Sequence, residues 1–334
     1  MTTGKSESGR ALAEVRARTA LQEAGLDPSV ELTRASSVTN EVWLTPTHSV
    51  RVNRHRDNRL YREALIGAVL PSEVGHPKVV AHGASQAEDW LIQVRQPGRP
   101  LAHVWPTLTR VQRERAVHGL ADRLAVLHRT RVPADLPPME RAPQLLEVGS
   151  ADPTAPVLEA LGLAADLDHV DPMLFVDATE MVTRLAPTLQ PFQSDTFVHG
   201  DVTFENVLWH DGQITALLDL EWARPGPRDL DLDILLRCAA FPDLHVGDAY
   251  VSVTRAEDYA DVPWWLGEAY PTLFDFPNQI DRVRVYSIAY DVQDLLAAPP
   301  QVPPRELPER HAYHRLDRVV HHKSYIDLLG RSRL

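Results

Sequence analysis

The 334-residue sequence predicts an α+β protein in two lobes, with a small antiparallel-sheet part over residues 1–95 and a larger, mainly helical part over residues 96–334. Between residues 38 and 94, short runs of alternating apolar and polar residues are separated by turn signals. The stretch Arg95-Gln96-Pro97-Gly98-Arg99-Pro100 then holds two prolines and a glycine that interrupt strand or helix, and it marks the boundary. Beyond it the apolar spacing is mostly that of helices.

Taken in order, Leu12, Val15, Ala20, Leu21 and Ala24 fall mostly on one side of a leading helix from Arg10, ended by Gly25 and Pro28. Val38, Val42, Leu44, Val50 and Val52 alternate around the turn Thr45-Pro46-Thr47-His48 and predict a hairpin. A helix over Leu60–Leu70 stops at Pro71, and two short strands follow at Lys78–His82 and Trp90–Val94. Past the boundary, Thr109 with Gln112 three residues later is a capping box opening a helix that runs to about His128. Residues 133–156 are proline-rich and read as surface loop, residues 157–190 as helical, and two more helices are expected over Gln279–Ala298 and Glu309–Leu329.

Composition narrows the partners. Thirty-four basic against 46 acidic residues give a net charge of −12, which repels a polyanion, so nucleic acid is not expected. Cys238 is the only cysteine, which excludes an internal disulfide and a cysteine zinc site. The N-terminus is charged throughout, and nowhere do eighteen apolar residues run together, so no membrane span or export is expected and the chain reads as cytoplasmic.

The most informative segment is Phe197–Arg237. Asp211-Gly212 is the turn of a hairpin running from Val207 to Leu218. Asp201 and Asn206 precede its first strand and Asp219 follows its second, so antiparallel pairing brings three oxygen-bearing side chains to one end. Such a set suits phosphoryl transfer from a nucleotide. Asn206 and Asp219 can hold Mg²⁺ between phosphate oxygens while Asp201, five residues before Asn206, accepts a proton from the attacking hydroxyl.

In these residues the sequence resembles the aminoglycoside phosphotransferase and choline kinase-like family, small-molecule relatives of the protein kinases. His199-Gly200-Asp201 with Asn206, Leu218-Asp219-Leu220-Glu221, and Gly226 with Asp231-Leu232 are similar to that family's H-G-D-x-x-x-x-N, I-D-[FWL]-[DE] and G-x-P-x-x-D-L patterns. The resemblance implies a two-lobed protein-kinase-like fold, ATP or GTP as co-substrate and Mg²⁺ as cofactor. It implies Asp201 as catalytic base buttressed by His199, Asn206 and Asp219 as metal ligands, and Glu221 and Asp231 as support. In the first lobe it places the nucleotide-covering hairpin, including Asn40, at residues 36–43, and Arg51 in the strand position usually held by lysine. It also makes Glu63 the helix-borne ion-pair partner and Leu91–Val94 the strand where adenine docks through backbone groups, with Val94 at its end.

Two departures accompany it: the covering loop has no glycine, and with lysine only at 5, 78 and 323, Arg51 is the expected phosphate contact. Glu268, Asp275, Asp291 and Asp294 are read as an acidic substrate wall suited to an aminoglycoside or another amine-bearing antibiotic. Choline, homoserine and sugar kinases are the alternatives within the class, and a non-catalytic nucleotide-binding regulator is the alternative outside it. A monomer or homodimer is expected. Asp231 is read as loop support, Asp229 and Asp233 as solvated, and the paired histidines 311/314 and 321/322 as ordinary surface residues.

Overall fold

The structure, a computed structural model, describes residues 3–35, 37, 40–53, 57–84, 88–139 and 145–327, with side chains from residue 11 onward. The leading helix α1 (Thr3–Glu23) packs on a five-stranded antiparallel sheet made of β1 (Thr33–Arg34), β2 (Glu41–Leu44), β3 (His48–Asn53), β4 (Val79–Ala84) and β5 (Asp89–Val94). The strand order is β1-β2-β3-β5-β4. The face of α1 against the sheet is small. Ala13, Ala17, Ala20 and Leu21 pack on Trp43, Val50, Val52, Trp90 and Ile92. Leu12 and Val15, expected inward, are 58% and 57% exposed, because alanines allow a closer approach of helix to sheet than these larger side chains would. Val38 lies outside the described residues.

Helix α2 (Arg59–Val69) follows β3, and its buried face is partly charged, with Arg59, Arg62 and Glu63 turned inward beside Leu60, Ala64 and Ile66. That face packs against β4, β5 and the single turn at Leu220–Trp222. One helix therefore joins the sheet to the site loop.

The proline-rich boundary does form strand, contrary to expectation. Arg99–Pro100, β6, pairs with Trp209 and Leu208. Proline is tolerated there because β6 lies at the sheet edge. The short α3 (Leu101–Val104) leads to α4 (Arg110–Leu127), whose capping box is formed as predicted by Thr109 and Gln112. Helices α5 (Ala155–Ala165) and α6 (Pro172–Leu185) follow, then β7 (Phe197–Val198), the hairpin β8 (Val207–His210) and β9 (Gln213–Leu217), and β10 (Arg224–Pro225). Asp211 and Gly212 have φ of 47° and 80°, as a type I′ turn requires.

The remaining helices are α7 (Asp229–Ala240), α8 (Asp248–Val251), α9 (Val262–Ala269), α10 (Gln279–Ala297) and α11 (Ala312–Val320). The last is shorter than the expected Glu309–Leu329, because His311 caps its start with its ring nitrogen and the chain turns at His321–His322. One core cluster spans α4 to α11 and encloses Trp105, Phe204, Trp265 and Tyr286. Asp229 and Asp233 are buried in α7, not solvated. Arg282 of α10 binds Asp229 through two nitrogens at 2.6 and 3.1 Å, and Tyr325 donates to Asp233 at 3.3 Å. Such pairing is what permits carboxylates in a core. Among the described residues no helix is long and apolar enough to cross a membrane.

Candidate active site

The site is built on the β8–β9 hairpin. Val207 pairs with Leu217, and the Leu218 N–H donates to the Asn206 carbonyl at 2.8 Å, so Asn206 and Asp219 come to the same end of the ribbon. Asp219 has φ 60° and ψ 53°, a left-handed conformation that aspartate tolerates better than most residues. The Asn206 amide donates to the Asp201 carbonyl at 2.8 Å and to its carboxylate at 3.3 Å. Both donors point back into the loop, leaving the amide oxygen for a ligand.

The loop holding Asp201 is fixed from below. The Asp231 carboxylate accepts from the backbone N–H groups of His199 at 2.7 Å and Gly200 at 2.8 Å, and from the His128 ring at 2.9 Å. Burial by itself would raise the Asp231 pKa, but those hydrogen bonds and the neighbouring imidazoles outweigh it and hold it below the ordinary range. The His199 Nε2 lies 3.0 Å from the Leu218 carbonyl, which can only accept, so Nε2 carries the proton and Nδ1 accepts from the Asp201 N–H at 3.3 Å. Burial depresses the His199 pKa, so the ring is neutral. His199 thus ties the loop to the end of β9 and has no proton to exchange with a substrate. At Gly200, φ is +83° and a Cβ would stand 2.6 Å from the Trp222 carbonyl oxygen, so no side chain fits.

Arg51 occupies the centre of the acidic side. Its NH1 is 2.5 Å from Glu63, and its NH2 is 3.0 Å from Glu221 and also contacts Asp219. Burial would lower the guanidinium pKa, but the three carboxylates more than offset it and hold it above its usual value. Glu63 is correspondingly lowered, to about 2, by Arg51 and His76 against the opposing effect of burial. Glu221 accepts from Asn40 at 2.7 Å and from Arg59 at 2.9 Å, yet burial and the nearby Asp219 push it up to about 7. Asp201 is raised further, to about 8, by burial first and then by Asp219 and Glu221. A carboxyl so placed is a stronger base than an exposed one once ionised.

The structure therefore brings together Asn40, Arg51, Glu63, Asp201, Asn206, Asp219, Glu221 and Asp231, with His199 beneath them. Val94 ends β5 as expected, and its N–H donates to the Lys78 carbonyl at 2.8 Å. One expectation needs correction: the acidic wall does not form. Glu268 stands with Glu114 and His118 of α4, with donor atoms within 4.8 Å of one another, and Asp275 is exposed on a loop. Asp291 is buried between Arg237 and Arg315, each at 2.8 Å, and Arg315 also reaches Asp294 at 2.5 Å. The α11 arginine, distant in sequence from both aspartates, cancels the charge that composition alone assigned to them.

Two residues of the site escaped sequence reasoning. Arg59 pairs with Glu221 and lies 4.6 Å over the Trp222 ring. His128, at the C-terminus of α4, sits between Asp231 and the Tyr270 hydroxyl, the latter at 3.2 Å. No local pattern marks either, since their partners are more than one hundred residues away.

The donor set fits a hard divalent cation. The Asn206 amide oxygen and the Asp219 carboxylate are oxygen ligands, and cysteine is absent from the site. Carboxylate oxygens of Glu63, Asp219 and Glu221 also lie within 4.8 Å of one another, but Arg51 already supplies positive charge to all three.

Residues 32–265 match the sequence profile of the phosphotransferase enzyme family. The chain belongs to that family. Comparison with solved structures places this phosphotransferase among proteins of the same fold. A thermostable mutant of aminoglycoside phosphotransferase APH(4)-Ia, in its apo form, superposes with a TM-score of 0.61 at 15% identity, covering 90% of this chain and 97% of the other. ADP-bound aminoglycoside phosphotransferase APH(2'')-Ib gives 0.58 at 12% identity, over 89% and 94%. Aminoglycoside-3'-phosphotransferase of type VIII gives 0.53 at 22%, over 83% and 98%. A sequence comparison with curated proteins returns no match. The phosphotransferase shares with these structures the two-lobed, protein-kinase-like architecture.

Proposed function

We propose that the chain transfers the γ-phosphoryl group of ATP or GTP to a hydroxyl of a small molecule. The observation that carries this is the meeting of Asp201, Asn206 and Asp219 at one end of the β8–β9 ribbon, with Arg51 alongside. Asp201 takes the proton of the attacking hydroxyl, a role to which its place five residues before Asn206 suits it. Asp231 and His199 position its loop but do not touch substrate. Asn206 and Asp219 would hold Mg²⁺, which when bound offsets the charge of the phosphate oxygens. Arg51, steered by Glu63, supplies a fixed cation toward the phosphates, and Asn40 closes the nucleotide side through Glu221.

Solved neighbours of the same fold include ternary complexes with AMP-PNP and hygromycin B and with ATP and streptomycin, and this supports an antibiotic or other natural product as acceptor. Action on an antibiotic would make the chain a resistance determinant. The pairing of Asp291 and Asp294 with arginines speaks against a polycation in particular.

The test is a nucleotide-consumption screen of the purified protein over antibiotics, amines, sugars and hydroxy acids, repeated with Asp201→Ala. Turnover should drop by roughly 10²–10⁴-fold while nucleotide affinity persists. Turnover near wild type would remove Asp201 as the base.

A further inference from the structure

Arg62 lies on the buried face of α2 and is only 2% exposed, yet among the described residues no carboxylate pairs with it. Its Nε has no hydrogen-bond partner, and its neighbour Arg224 is a second buried cation. A charge buried in this way costs the fold more than an apolar side chain of similar length would. Its two terminal nitrogens are committed instead to backbone. One donates to the Ala223 carbonyl at 2.9 Å and the other to the Pro137 carbonyl. Both acceptors belong to the larger lobe.

One end of this bridge is the turn that carries Asp219. Ala223 closes the turn Leu220–Trp222, its N–H donating to the Leu220 carbonyl at 3.0 Å, and Asp219 begins it. The other end is the helix that steers Arg51, because Glu63, next to Arg62 in α2, takes that guanidinium at 2.5 Å. Two more contacts fasten the start of α2 to the larger lobe. The Asn58 amide donates to the Pro138 carbonyl at 3.1 Å, and Arg59 reaches Glu221 at 2.9 Å. Since α2 also packs on β4 and β5, the placing of Arg51 relative to Asp219 is settled where this helix meets the turn.

From this arrangement we infer that Arg62 is a positioning residue: it locks α2 to the turn that begins at Asp219, and so keeps Arg51, steered by Glu63, and the Asp219 carboxylate in one fixed relation toward nucleotide and Mg²⁺. Its own donors end on backbone carbonyls, so it acts through these groups. The inference rests on the kinase reading above and adds the contact that sets the phosphate-binding groups of the two lobes against each other.

It is tested by calorimetry of AMP-PNP binding to the full chain, once with Mg²⁺ and once with EDTA, with the melting temperature recorded for each variant. In the wild type Mg²⁺ should tighten binding. In Arg62→Met that gain in affinity should shrink at least about tenfold, the usual effect of removing a group that orients a metal ligand. Arg62→Lys keeps the charge and can donate to one carbonyl, so it should lose less. Gly149→Ala, destabilised in the loop before α5, should keep the full gain, which separates position from stability. Where the methionine variant does not fold, Arg62→Gln is read in its place. A Mg²⁺ gain equal to the wild type's in a folded Arg62→Met or Arg62→Gln variant, or an equal loss in Gly149→Ala, overturns the inference and leaves the kinase reading intact. A wild type that binds no AMP-PNP, or binds it no better with Mg²⁺, would instead remove the kinase reading.

Discussion

A guanidinium fans five donors in one plane, and Arg51 uses two of its nitrogens to serve Glu63, Asp219 and Glu221 together. A lysine at that position is a single point of charge and could not hold the same three groups with the same geometry. Removing the cation leaves buried carboxylates facing one another. We expect Arg51→Met to destabilise the protein by about 3–5 kcal/mol, the usual cost of breaking a buried pair from one side, and Arg51→Lys to cost clearly less. Denaturant unfolding of the two variants measures this, and equal stabilities would show that the carboxylates find other partners. At this scale the Asp201, Asn206 and Asp219 trio was legible because its spacing is local to one hairpin. Arg59 and His128 were not, since each acts on a carboxylate reached only through folding.

Among elements, the loop between β7 and β8 is closely constrained. Its glycine, the two N–H groups on Asp231 and the His199 link to β9 all define one backbone path. Gly149 has the same φ of +83°, but a Cβ there would meet nothing within 4 Å, so the two glycines separate conformational cost from collision. Gly149→Ala should cost about 1–2 kcal/mol, the left-handed penalty alone, with turnover preserved. Gly200→Ala adds contact with the Trp222 carbonyl and should cost more, with turnover reduced at least about a hundredfold as Asp201 is displaced. Thermal melts and turnover of both variants test the difference, and similar behaviour would show that the loop can move. Helix starts such as the Thr109 capping box were readable because caps are made within a few residues. The inward face of α1 was misjudged because the periodicity of large apolar residues does not reveal that a sheet will accept alanines.

For the whole molecule, buried acids set the pH dependence of folding. Burial raises Asp233 to about 7, so the folded chain holds that proton more tightly than the unfolded one. The stability linked to it is complete below the ordinary aspartate value and is lost as pH rises through about 7. Glu63 runs the other way. Its lowered pKa contributes stability above the ordinary glutamate range that is lost as pH falls toward about 2. We therefore expect Asp233→Asn to narrow the gap between melting temperatures at pH 5 and pH 8 by raising the value at pH 8. Parallel profiles for variant and wild type would overturn this assignment.

Turn chemistry, caps and the order of polar residues from His199 to Asp231 determined the architecture and the centre of the site, because each acts over a few residues and follows from local sterics and hydrogen bonding. Beyond the Arg51–Glu63 pair implied by the resemblance, tertiary structure decided which charges meet. Arg51 finds acids 168 and 170 positions away, and Arg315 cancels two aspartates that composition had left negative. Ion pairing depends on distance in space and on burial, and neither is encoded in the spacing of residues along the chain.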